Sequence, residues 1–147
     1  MIPALIMALQ FNVALAGPFD DAKAVLRDSE LSVTFPDEED PGIRELTVKA
    51  ASDRVDAEAW TSSGRIRAAT LKGGDYQRLV ALARRIDAAG LERDRQPSSC
   101  KAPFRLRMRV GSWERTVFGC RGAGAGAADV SRLARELEFL LLKRTSG

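Results

Sequence analysis

The most chemically specific side chains of this 147-residue chain are its two cysteines, Cys100 and Cys120. Such a pair can form a disulfide, bind a metal ion or carry out redox chemistry. The chain contains no histidine, which removes the usual general base and the commonest metal-ligating partner of cysteine. We therefore favour a structural disulfide and predict no metal site. Two free buried cysteines in a cytosolic protein are the alternative.

A second set of reactive groups is the carboxylate pair Asp56 and Glu58, two residues apart on one face of a predicted strand. Two carboxylates at short range can act as the acid and the base of a hydrolase. Arginines at positions 54, 65 and 67 favour surface ion pairs instead. The serines at 62–63 and 98–99 have no histidine to activate them. The sequence thus predicts no enzyme, and a hydrolase using these carboxylates is the alternative.

A loop between two prolines carries four adjacent acids, which are Asp37, Glu38, Glu39 and Asp40. Oxygen ligands of this kind bind Ca²⁺, but a dedicated calcium loop places them at alternate positions. We predict an exposed loop that is a candidate contact site for a partner.

A glycine-rich run, residues 122–126, follows a predicted strand and precedes a predicted helix, as phosphate-binding loops do. Its Gly-x-Gly-x-Gly spacing differs from the dinucleotide-binding pattern, and Asp129 places negative charge where a phosphate would bind. We predict a flexible connector here and no cofactor.

Between the cysteines the sequence predicts a β-hairpin. Residues 104–110 alternate apolar side chains with Arg105, Arg107 and Arg109, the period of a strand. Residues 111–112, Gly-Ser, match a type II′ two-residue turn. That turn places Arg109 opposite Glu114. The arginine face, with Trp113 at the hairpin tip, is a second candidate contact region.

The same turn sets the rest of the register. Val110 faces Trp113, Arg105 faces Phe118, and position 103 faces Cys120. Residues 96–100 must curl back for the disulfide to form.

The remaining elements must position these groups. Alternating segments at 31–35, 43–51, 55–60 and 65–71 predict an antiparallel meander of about four strands. A helix follows from Tyr76, with Asp75 as its N-cap and a glycine stop at residues 90–91. The hairpin comes next, and then a C-terminal helix capped by Asp129. The fold class is α+β. Residues 18–29 fit either a short helix or a loose lead-in.

The amino terminus bears on location. Residues 1–16 carry no charge, form an apolar run too short to span a membrane, and end in Ala-Leu-Ala. We predict a signal peptide at 1–16 and a single periplasmic or secreted domain at 17–147, without a membrane span. A buried first element of the fold is the alternative.

The charge balance bears on the partner class. The chain has 23 basic and 20 acidic residues, a net charge of +3. This excess is too small to indicate nucleic-acid binding.

The order of elements resembles a group of small bacterial proteins that includes emfourin, an inhibitor of thermolysin-type metalloproteases. The residues that carry the resemblance are 31–35, the Pro-Gly-Ile-Arg segment 41–44 with the strand after it, and 76–91. At the position of that family's Gly-Gly-aromatic loop this chain has residues 36–40. The resemblance implies a protease inhibitor and assigns no functional residue.

Together these features predict an exported, non-catalytic binding protein whose partner is another protein. If the resemblance holds, that partner is a protease that it inhibits. A structural component of the cell envelope is a further alternative.

Overall fold

The computed structural model of the protein describes residues 17–36, 42–89, 100–120 and 126–146. A turn of 3-10 helix (Pro18–Asp20) is followed by helix α1 (Ala22–Arg27) and strand β1 (Asp28–Thr34). Strands β2 (Glu45–Ala51), β3 (Arg54–Thr61) and β4 (Gly64–Leu71) lead to helix α2 (Gly73–Ala88). Strands β5 (Pro103–Val110) and β6 (Trp113–Cys120) lead to helix α3 (Ala127–Ser146).

Several predictions fall on other parts of the chain. The signal peptide at 1–16, the acidic residues 37–40, the helix stop at 90–91 and most of the glycine run, 122–125, lie outside the described residues.

The six strands form one antiparallel sheet in the order β4-β3-β2-β1-β5-β6. The predicted α+β class and the meander of the first four strands are confirmed. The hairpin β5-β6 returns to pair with β1, so β1 lies inside the sheet between β2 and β5. For residues 18–29 the sequence allowed either a short helix or an irregular segment. The structure shows the short helix α1, which is followed directly by β1.

One face of the sheet is covered and holds the core. Alternate residues of β1, β2, β3 and β5, such as Leu31, Val48 and Met108, are buried there, because successive side chains of a strand point to opposite faces. Helix α2 buries Leu79 and Ile86, and α3 lies beside α2 and against β4 and β3. We call the other side of the sheet the open face.

Both predicted N-caps are wrong. Helix α2 begins at Gly73 after Lys72, and α3 begins at Ala127. Asp75 lies in the first turn of α2 and accepts a hydrogen bond from Arg78 at 2.7 Å, while Asp129 lies in the first turn of α3 and pairs with Arg85 at 3.1 Å. Carboxylates in a first turn are favoured by the helix dipole without capping it.

The predicted facing of β4 also needs correction. Alternation in the sequence predicts that Ile66, Ala68 and Thr70 lie on one face of this strand and that the arginines lie on its other face. The β3–β4 ladder shifts register between Ala59 and Trp60, and an extra residue in a strand changes the face of those beyond it. Thr70 therefore lies on the open face, whereas Ile66 falls at the irregularity and is 48% exposed.

The hairpin follows its predicted register throughout, from Val110 opposite Trp113 to Pro103 opposite Cys120. Gly111 has φ +58, as the first position of a type II′ turn requires. Cys100 and Cys120 form a disulfide with Cα atoms 5.7 Å apart and a sequence separation of 20. Closing a loop of this length stabilises the fold by roughly 3 kcal/mol on a chain-entropy model.

A buried hydrogen-bonded chain joins α2, β1 and α1. The Ser29 hydroxyl donates to the Val25 carbonyl at 2.5 Å and lies 2.6 Å from the Tyr76 hydroxyl. Because serine has one proton and a carbonyl only accepts, the Tyr76 hydroxyl must donate to Ser29. Burial, which disfavours the charged phenolate, raises the pKa of Tyr76 to about 12.

Tyr76 is the only tyrosine, so its titration can be followed directly by ultraviolet absorbance. We expect the phenol of the native protein to stay protonated near pH 11, about one unit above an unperturbed tyrosine. The raised pKa contributes stability that is complete below pH 10 and is lost as the pH rises toward 12, by about 2–3 kcal/mol. Protein unfolded in denaturant should titrate near 10. Titration near 10 with retained circular dichroism would contradict this account.

Candidate functional site

The open face is the side of the sheet that neither α2 nor α3 covers. Many of the cross-strand pairs on it are polar, as with Thr47 opposite Glu58 and Arg107 opposite both Ser32 and Thr116. With a strand spacing of about 4.8 Å and a rise of about 3.4 Å per residue, the face measures about 24 Å by 25 Å, or about 600 Å².

Charges on the open face are balanced among the described residues. The cationic side chains are Lys49, Arg54, Arg65, Arg105, Arg107 and Arg109. An equal number of carboxylates lie among them, namely Asp28, Glu30, Glu45, Asp56, Glu58 and Glu114.

The predicted arginine face is part of this surface, and two of its three arginines are held by ion pairs. Arg107 lies between Glu114, at 3.2 Å, and Glu30, at 3.7 Å. Arg109 donates to Asp28 at 2.7 Å. The partners on β1 were not identified from the sequence, because the pairing of β1 with β5 joins segments some 80 residues apart and no local pattern reports it.

Arg105 differs from its two neighbours. It is exposed, it lies between Thr34 of β1 and Phe118 of β6, and within the described ranges no side-chain partner is found for it. A shallow depression of about 780 Å³ surrounds it, with Ser32, Glu45 and Thr116 also in its lining. Glu45 accepts hydrogen bonds from Ser32 at 3.1 Å and Thr47 at 3.0 Å, so the floor of the depression is a connected polar network.

Trp113 does not belong to the arginine surface. It lies on the helix side of the hairpin, half-buried, and its ring meets Phe19 edge-to-face at a centroid distance of 5.6 Å. This is the position that the predicted register gives it, opposite Val110 and apart from the arginines. A contact role for Trp113 stays a prediction. The second predicted region, residues 37–40, lies outside the described residues.

The exposed aromatic residue on the open face is Trp60, 38% exposed, which the site prediction omitted. It lies opposite Glu45 on β2 and Arg65 on β4. Its alternation with Asp56 and Glu58 in the sequence predicts this face, and the strand pairing confirms it.

The carboxylates proposed for a hydrolase lie on the same face as ion-paired groups. Asp56 accepts from Arg54 at 3.1 Å and Thr70 at 3.0 Å, and Glu58 pairs with Arg65 at 3.3 Å. In the described ranges, no group of three or more acidic or cysteine side chains is placed to hold a metal ion. No described helix is long and apolar enough to cross a membrane.

The chain matches no protein-family model, no curated protein and no solved structure. The resemblance to the emfourin group therefore stays a prediction.

The different environments of Arg107 and Arg105 can be tested by stability. Arg107→Ala should lower the free energy of unfolding by about 1 kcal/mol, since exposed ion pairs are weak and this side chain makes two. Arg105→Ala is the matched substitution, two residues away on the same face of β5. It should change the free energy of unfolding by less than about 0.5 kcal/mol. Urea denaturation measures both, and a larger loss for Arg105→Ala would contradict the assignment.

Proposed function

We propose that this protein is an exported, non-catalytic binding protein that contacts another protein through the open face of its sheet. The observation that carries the proposal is the face itself, a broad surface that the described residues leave uncovered. It bears balanced, mostly ion-paired charges and the exposed Trp60. The protease-inhibitor version rests only on the resemblance given above.

The dimensions of the face favour a protein partner. A stable protein–protein interface buries about 800 Å² on each partner, which the open face and its margin can supply. Small-molecule sites are instead deep and largely apolar, whereas the depression around Arg105 is lined mainly by charged and hydroxyl side chains. Tryptophan and arginine, both present here, are the residues that most often dominate binding energy.

The charge balance argues against nucleic acid and anionic membranes as partners. Both bind surfaces with an excess of positive charge, and the described part of the open face carries no such excess. Alternating charges of both signs instead favour a partner whose own charges are complementary, because like charges placed face to face are costly.

The ion pairs also prepare the surface for binding. Arg107 and Arg109 are held in one arrangement by Glu114, Glu30 and Asp28. A side chain that is already ordered loses less conformational entropy when a partner binds. Arg105 and Lys49, for which no ion pair is found among the described residues, are the cations available to carboxylates of the partner.

Export is supported by the disulfide between Cys100 and Cys120, since disulfides persist mainly outside the cytosol. The uncharged segment 1–16 with its Ala-Leu-Ala ending supports it independently.

In-cell photocrosslinking tests the contact surface. A benzoylphenylalanine at Lys49, exposed on β2 in the open face, should crosslink to a second protein, whereas the same residue at Arg132, exposed on α3, should not. Adding Arg105→Glu should reduce the Lys49 crosslink about tenfold, a typical effect of one important charged contact. Arg132→Glu is the matched control and should leave it unchanged. Crosslinking from Arg132 alone, or from neither position, would contradict the proposal.

A further inference from the structure

Among the described strands, β6 pairs with β5 alone, so its other side is an edge that can accept another strand. Its ladder with β5 runs from Trp113 to Cys120 without a register shift. The opposite edge, β4, is interrupted by the irregularity near Trp60 and has α3 against it. Long regular edges present unpaired backbone groups that readily pair with another chain.

The turn geometry fixes which backbone groups of β6 face outward. In a two-residue hairpin the residues flanking the turn, Val110 and Trp113, exchange both hydrogen bonds, and such pairs alternate along the ladder. The Gly111 N–H donates to the Asp28 carbonyl at 2.8 Å, which shows the same alternation on the β1 side. Glu114, Thr116 and Phe118 therefore point their N–H and C=O groups away from β5.

We propose that the protein forms a two-fold symmetric dimer in which β6 pairs antiparallel with β6 of a second copy. The pairing is centred on Thr116, so Thr116 faces its own counterpart and Glu114 faces Phe118 of the other copy. About six backbone hydrogen bonds would join the two edges. The proposal is independent of the function proposed above, although the dimer would place the two open faces side by side.

Charge favours a second copy as the occupant and excludes two of its possible registers. Pairing centred on Glu114 or on Arg115 would place identical charges opposite each other, which is destabilising. Pairing centred on Thr116 avoids this and allows a threonine pair. It also brings Glu114 of the second copy into the same row as Phe118 and Arg105, about 10 Å from the Arg105 backbone at two strand spacings. Glu114 of each copy already pairs with its own Arg107 at 3.2 Å, and an extended Arg105 of the other copy can reach the same carboxylate across that distance.

The strand is already fixed in the paired conformation. Its carboxyl end is held by the disulfide at Cys120 and its amino end by the turn at Gly111. Pairing therefore orders little additional backbone. A single strand pair buries less area than a standard interface, so we expect a dimer that dissociates on dilution.

Sedimentation velocity of the full folded chain from about 10 µM to about 1 mM, a range suited to weak association, tests the proposal. The wild type should shift from monomer to dimer. Thr116→Pro removes an outward N–H without removing a hydrogen bond to β5, and it should remain monomeric. Thr116→Val keeps that N–H and should still dimerise. A wild type that stays monomeric throughout, or a dimer unaffected by Thr116→Pro, would overturn the proposal.

A cysteine pair provides a second measurement if Thr116→Pro does not fold, as judged by circular dichroism. Thr116→Cys lies on the symmetry axis, where the two Cα atoms are within disulfide reach. Mild oxidation should yield a covalent dimer of Thr116→Cys and none of Lys49→Cys, which lies on β2 inside the sheet. No covalent dimer of Thr116→Cys, or equal amounts from both variants, would overturn the proposal.

Discussion

Two helices can cover only one face of a six-stranded sheet, and the rest of this molecule depends on that constraint. Strands about 4.8 Å apart make a sheet about 24 Å wide, and two helices side by side, each about 10 Å across, cover about 20 Å of it. Helices α2 and α3 lie together on one face, where Tyr76 of α2 is hydrogen-bonded to Ser29 of β1. In the described part of the chain the second face is left to water, and most of its side chains are polar for that reason.

The second face meets water with paired charges rather than with charges of one sign. Exposed pairs such as Arg65–Glu58 and Arg107–Glu114 each contribute only about 0–1 kcal/mol, so stability alone does not explain their regular placement. Their physical effect is to hold long side chains in a fixed pattern of alternating sign. A fixed pattern of this kind discriminates between partners more than it strengthens binding, which is why we assign the face to recognition.

Local patterns in the sequence predicted the parts of the fold that local physics determines. The alternation of residues 104–110 and the glycine at 111 were enough to place every pair of the hairpin and to put Arg105 on the outer face. Long-range pairing was not predictable in this way: Glu30 and Asp28 reach the arginines only because β5 pairs with β1. The register shift beside Trp60 likewise has no local signal. Asp75 marked the start of a helix correctly but not its cap, since an acid is favourable throughout the first turn.

The claim on which this account most depends is that the open face is covered by a partner in the cell. Hydroxyl-radical footprinting of the protein in an extract of cells that make it, compared with the purified protein at low concentration, measures this directly. Trp60 on the open face, 38% exposed, and Phe139 on α3, 63% exposed, serve as probe and control. We predict that oxidation of Trp60 falls severalfold in the extract while that of Phe139 is unchanged. Unchanged oxidation of Trp60, or protection of Phe139 alone, would contradict the account.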